Sequence, residues 1–190
     1  MFELAGPLAV AALVLAAGGA FKLRDPAPTS AMWEALGMSG ERARTTLTSL
    51  SGVVELALGL ATFLVGGRVL ALLTSAAFAL FALLAARLVR LPAAASCGCF
   101  GRHSGRTTRL HVVVDAMVAS VALVAAVFDV PGFLGARAEL PGAGVAFVGF
   151  ALLGAWFVIA ALTVLPEALS AADRGTEAPA VRTFEIPTAR

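Results

Sequence analysis

Five long apolar runs fix what this chain can fold into. They are Leu4 to Leu23, Leu47 to Val65, Val69 to Ala86, Leu110 to Phe128 and Gly142 to Leu165. A bilayer core takes about 20 mostly apolar residues per helix. Inside lipid the backbone must bond to itself, so these runs read as helices and not as strands. The rest of the composition agrees. Apolar residues make up 59% of the chain and charged residues 14%, against about 45–50% and about 25% in a soluble domain. Mean hydropathy is +0.92. A formal charge of +2, with no basic patch interleaved with aromatics, excludes a nucleic-acid binder. The expected fold is all-α: a polytopic membrane bundle with a four-helix core and a fifth transmembrane helix. The stretch before the first run carries Glu3 and no Lys or Arg. That n-region argues for a retained helix and against a signal peptide.

The breaks between runs differ in kind. Gly66-Gly67-Arg68 makes a tight antiparallel turn between the second and third runs. The first linker, Arg24 to Thr46, opens on Asp25-Pro26-Ala27-Pro28, which stops the helix. Ser30 then caps a short helix through Leu36, ended by Gly37. Trp33 on that helix suits the membrane–water interface. The fourth linker, Asp129 to Pro141, carries turn signals at Pro131-Gly132 and Pro141-Gly142. Residues 171–190 mix charge, Thr and Pro, and read as a disordered tail. The expected division is a membrane domain over 1–128, a linker and fifth span over 129–166, and a polar tail over 167–190.

Parity places the charges. With five spans, the first and third linkers and the tail share one face. Lys22 lies near the end of the first run, on that face. His111 and Asp115 open the fourth run there. Glu55 sits about 12 Å into the second run from the same face, at 1.5 Å per residue. A carboxylate at such depth costs a few kcal/mol and faces a partner inside the bundle, for which Lys22 is the candidate. Glu55 reads either as a proton carrier or quinone contact, with Lys22, or as a buried bond that fixes packing. His111 and Asp115 are four apart and share a helix face. They read as a proton-accepting pair for a thiol or as interhelical polar glue.

Both cysteines of the chain, Cys97 and Cys99, lie in the third linker. Two thiols one residue apart form a redox pair, half of a metal site, or a coincidence of small residues. A bridge between them would close a small, strained and easily reduced ring. Arg102, Arg106 and Arg109 crowd the same linker. They favour a nearby thiolate, and they are also ordinary flanking charges of membrane helices. A metal alternative would use Cys97, Cys99, His103 and His111, ligand types that suit zinc or copper. Its spacing matches neither usual zinc signature.

Three stretches carry a resemblance. Phe21-Lys22-Leu23-Arg24-Asp25-Pro26 closes the first span, Glu55-Leu56 with Gly59 lies in the second, and Cys97-Gly98-Cys99-Phe100-Gly101 precedes the fourth. Together they resemble the MauE family of methylamine-utilisation membrane proteins, within the DoxX-like group, over roughly residues 1–128. The resemblance implies a prokaryotic plasma-membrane bundle that helps mature the disulfide-rich small subunit of methylamine dehydrogenase, beside a thioredoxin-like partner. The chain departs from the family pattern at Asp115, where Asn is expected, and by its fifth span and tail.

The function expected is thiol–disulfide exchange through Cys97 and Cys99, with proton handling by Glu55, His111 and Asp115. A membrane quinone is the candidate electron acceptor, by analogy with other four-helix disulfide-generating membrane proteins, an analogy of fold alone. The rival is a non-enzymatic membrane chaperone, transport component or metal-binding protein. Sidedness sets two arguments against each other. Twelve of the fourteen Lys and Arg residues lie on the cysteine face, the exceptions being Arg68 and Arg137. The positive-inside rule therefore places that face in the cytoplasm, and this is the topology expected. The family resemblance implies the opposite face, because disulfides of exported proteins are made outside.

Overall fold

The structure, a computed structural model, describes residues 2–91, 107–139, 142 and 144–165. Cys97, Cys99, Arg102, His103 and Arg106, and the tail, lie outside the described residues. A 3-10 turn, Phe2–Leu4, leads into α1, Ala5–Arg24. Then follow α2, Ala27–Ala35, α3, Glu41–Leu64, and α4, Arg68–Val89. The last three are α5, Arg109–Val127, α6, Phe133–Glu139, and α7, Gly144–Thr163. Of these, α1, α3, α4, α5 and α7 are long and apolar enough to cross a membrane. Exposed Leu, Val and Phe side chains stud their outer faces, as lipid-facing helices require. The protein is an all-α, multi-pass membrane bundle.

Helix α1 is the central post. It packs most extensively on α3, then on α7, and touches α5 and α4. Its Ala- and Gly-rich sequence makes this possible, since small residues let membrane helices approach closely. The α1–α3 seam is the tightest. A Cβ at Gly19 would lie 2.5 Å from the Leu56 nitrogen and 2.6 Å from the Gly52 oxygen. One at Gly59 would lie 2.5 Å from the Ala12 oxygen. The two backbones touch at these levels, and nothing larger than hydrogen fits between them. Helix α5 packs on α4 through Ala71, Ala122, Ala125 and Ala126. There the Ser75 hydroxyl donates to the Ala119 carbonyl at 2.8 Å.

At the end of the bundle opposite the cysteine linker, backbone bonds clasp two connections together. Gly66 takes a φ of +67° and pairs with Pro131 as an isolated bridge. Gly67 N–H donates to Val130 O at 2.8 Å, and Gly132 N–H to Val65 O at 2.9 Å. Asp129 Oδ1 accepts the first N–H of α4, from Arg68, at 2.6 Å. The turn expected at Gly66-Gly67 is present, and the Pro131-Gly132 turn seals it. Helix α6, which follows, was not expected. It stacks Phe133 on Phe63, ring centroids 5.8 Å apart.

Two other expectations need correction. Ser30 does not cap α2; it lies inside it, and its N–H donates to Pro26 O. Pro26 and Pro28 start the helix instead, because proline φ suits a first turn whose N–H groups are unpaired anyway. The C-terminal stop is as read. Gly37, at φ +92°, closes a Schellman motif in which Met38 N–H bonds Trp33 O and Gly37 N–H bonds Glu34 O. Helix α3 begins at Glu41, ahead of the apolar run at Leu47. Its first turns, Glu41-Arg42-Ala43-Arg44, are good helix formers but polar, so hydropathy alone misses them.

Candidate functional site

The α1–α3 seam delivers the central pair of the site. Gly19 lies one turn before Lys22, and Gly52 one turn before Glu55. Residues three apart share a helix face, so the contact that seats the glycines points both charged side chains into the same space. There the Lys22 ammonium donates to Glu55 Oε1 in a charge-assisted hydrogen bond. Lys22 is 4% exposed and Glu55 6%. The partner expected for Glu55 is therefore the one it has. The ammonium also sits over the face of Phe81, 4.8 Å from its centroid, within the range of a cation–π contact. Phe81 is held edge-on by Phe78, at 5.7 Å and 82°.

His111 and Asp115 come to the same place from α5. Thr108, the residue before α5, donates its backbone N–H to His111 Nδ1 at 3.2 Å. That bond occupies Nδ1 as an acceptor, which leaves Nε2 to carry the proton of the neutral ring. His111 is buried. A small cavity of about 20 Å³ is lined by Lys22, Glu55, His111 and Asp115, with Phe78, Phe81 and Leu162 among its walls. About 10–15 Å³ suffices for one water molecule with several polar partners, so this space can hold a bridging water among the four ionisable groups. Leu162 belongs to α7, so the fifth span closes the site on one side.

A second, larger cavity of about 170 Å³ adjoins the ion pair beneath α2. Lys22, Glu55 and Asp115 line it too, together with Trp33 and Phe81. Helix α2 is anchored there by Met32, which packs on Leu88 of α4 with Trp33, Leu36 and Leu91 around them. Sequence reasoning placed Trp33 at the interface and did not see Phe81 at all. An aromatic inside an apolar run carries no periodic signal of its own.

The cysteine linker is tethered at this end of the bundle. The chain leaves α4 past Val89 and Leu91 and enters α5 at Thr108 and Arg109. Of the four residues of the metal alternative, only His111 is described, and its Nδ1 is taken by Thr108. Among the described residues no three His, Cys, Asp or Glu side chains gather in a way that could hold a metal ion.

The glycine-seamed pair and the linker between α4 and α5 both lie within residues 1–129, and over that stretch the chain matches the family model "Methylamine utilisation protein MauE". The chain belongs to the MauE family. No curated protein and no solved structure matches it. In this MauE protein the stretch Phe21 to Pro26 spans the C-terminal turn of α1, which carries Lys22, and the two residues that follow it. The Glu55-Leu56 and Gly59 stretch is the matching face of α3. Two of the three sequence stretches that carry the resemblance are thus the two halves of one contact.

Proposed function

We propose that this MauE protein catalyses thiol–disulfide exchange through Cys97 and Cys99 in a prokaryotic plasma membrane, with a disulfide-containing client and a thioredoxin-like partner. The observation that supports this reading is the gathering of Lys22, Glu55, His111 and Asp115 at the end of the bundle where both ends of the cysteine linker are tied. Four ionisable groups held in one apolar place suit a reaction that moves protons with electrons. In the forward exchange a client thiolate attacks one sulfur of the Cys97–Cys99 bridge. That S–S bond breaks and a mixed disulfide forms. A second client thiolate then attacks the client sulfur of the mixed disulfide, which yields the client disulfide and the Cys97/Cys99 dithiol. Two electrons pass to the protein, and two protons protonate the thiolates it gains. On this reading His111 Nε2, Asp115 and Glu55 supply and receive those protons. In the pathway the family is named for, the client is the methylamine dehydrogenase small subunit.

The test is a trapping experiment. Cys97→Ser and Cys99→Ser are expressed singly and the cells are quenched in acid. One of them should hold a reducible, mass-shifted adduct with a client, and the wild-type pair should appear in both redox states. A wild-type pair that stays in one state, with no adduct in either variant, would leave the non-enzymatic chaperone or transport role in its place.

A further inference from the structure

The cavity beneath α2 has four properties that together specify what it would bind. Its volume of about 170 Å³ is close to that of an apolar cavity known to admit a benzene ring, about 150 Å³. Its walls are mainly apolar and include two aromatic rings, Trp33 and Phe81. One of its walls, Trp33, carries an unused donor. Among the described residues the buried Trp33 indole N–H has no hydrogen-bond partner, and such a group costs about 1–3 kcal/mol unless an acceptor reaches it. Finally, it borders the lipid. Leu80, one of its walls, is 53% exposed. Helix α3 leans on α1 and α4 on α5, with few contacts between α3 and α4, so access runs laterally between those two helices.

These properties exclude most ligand classes. An ammonium has no acceptor for the indole. A carboxylate would join Glu55 and Asp115 around a single ammonium, which like-charge repulsion disfavours. A neutral, lipid-soluble ring that bears a carbonyl satisfies all four. We propose that this cavity binds the head ring of a lipid quinone, with Trp33 Nε1–H donating to a ring carbonyl. Its place in the reaction rests on the exchange reading above. The Cys97/Cys99 dithiol gives up two electrons and two protons, the S–S bond forms, and the ring takes both pairs at its two oxygens to become the quinol. Binding itself needs no cysteine.

The experiment therefore uses full-length Cys97→Ser/Cys99→Ser protein in lipid nanodiscs, titrated with decylubiquinone by equilibrium partition and by the unfolding midpoint. Saturable binding and a raised midpoint are expected. Trp33→Phe should weaken binding about tenfold, the loss of one buried hydrogen bond. Trp156→Phe, on the lipid-exposed face of α7, should not. Should Trp33→Phe fail to fold, Ser51→Leu, which fills the cavity from α3, should block binding instead. Absence of saturable binding, equal binding by the Trp33 and Trp156 variants, or displacement by decanoate at equal concentration would overturn the proposal. Because no thiol is present, the outcome is independent of whether the trapping experiment succeeds.

Discussion

A lysine and a glutamate that meet inside a bundle stabilise it only as a pair. Each alone would be a charge without compensation among apolar side chains, which costs about 3–5 kcal/mol when one partner is removed. Lys22→Met and Glu55→Leu should therefore each lower the unfolding midpoint sharply. The double variant should recover most of that loss, since a well-packed apolar pair replaces an ion pair at little cost. Thermal unfolding in detergent measures this, and exchange turnover in the same four proteins separates structure from chemistry. If the double variant regains its midpoint but not its turnover, the pair handles protons. If it regains both, the pair only fixes packing. Glu55→Gln refines the comparison, because it keeps a hydrogen bond to Lys22 while removing the exchangeable proton; it should fold better than Glu55→Leu and turn over no faster. The pairing was legible in the sequence because deep charges are so costly that each must find another. The aromatic cradle of Phe81 and Trp33 was not, because an aromatic costs nothing in an apolar run and so leaves no trace of what it faces.

Among the elements, the five spans could be read directly, since lipid leaves an apolar run no alternative to a helix. What surrounds them could not. Helix α6 has seven residues, with Gly135 and Arg137 inside it, and no periodicity to announce it. The start of α3 is polar. The seam between α1 and α3 was visible only in retrospect, in the matched spacing of Gly19 before Lys22 and Gly52 before Glu55. That seam makes a sharp prediction. Gly19→Ala and Gly59→Ala should each destabilise the bundle by about 1–3 kcal/mol or more through overpacking against backbone. Gly149→Ala on α7 should be neutral or mildly stabilising, because a Cβ there meets nothing within 4 Å and alanine favours a helix. Equal midpoints for all three variants would mean that α1 and α3 are not in backbone contact.

For the whole molecule, five crossings would put the first linker, the two ends of the cysteine linker and the end of α7 on one face. The charge count assigns that face to the cytoplasm. Maturation of an exported client requires the other. A membrane-impermeant maleimide decides between them in intact, reduced cells: by the charge count, Cys97 and Cys99 should label only after lysis. Labelling before lysis would put the thiols outside, where they would act as an oxidant for exported clients. Protection would leave them facing a cytosolic thioredoxin-like donor, and the pair would then carry reducing equivalents into the membrane. Reporter fusions after Arg44, Arg68, Arg106, Arg137 and Arg190 should alternate in sidedness; matching reports from the last two would mean that α7 does not cross.

The clasp of Gly66, Gly67, Val130 and Gly132 joins the far ends of α3, α4 and α5 by main-chain bonds. At the near end, among the described residues, α3 and α4 are joined through the short α2, which packs on α3 and, by Met32, on Leu88 of α4. The molecule is built like a clothes-peg, with its spring remote from its jaws. Among the described residues no main-chain bond joins α3 to α4 at the jaws, so whatever enters beside the ion pair meets the more compliant end of the protein, while the clasp at the other end keeps the helices in register.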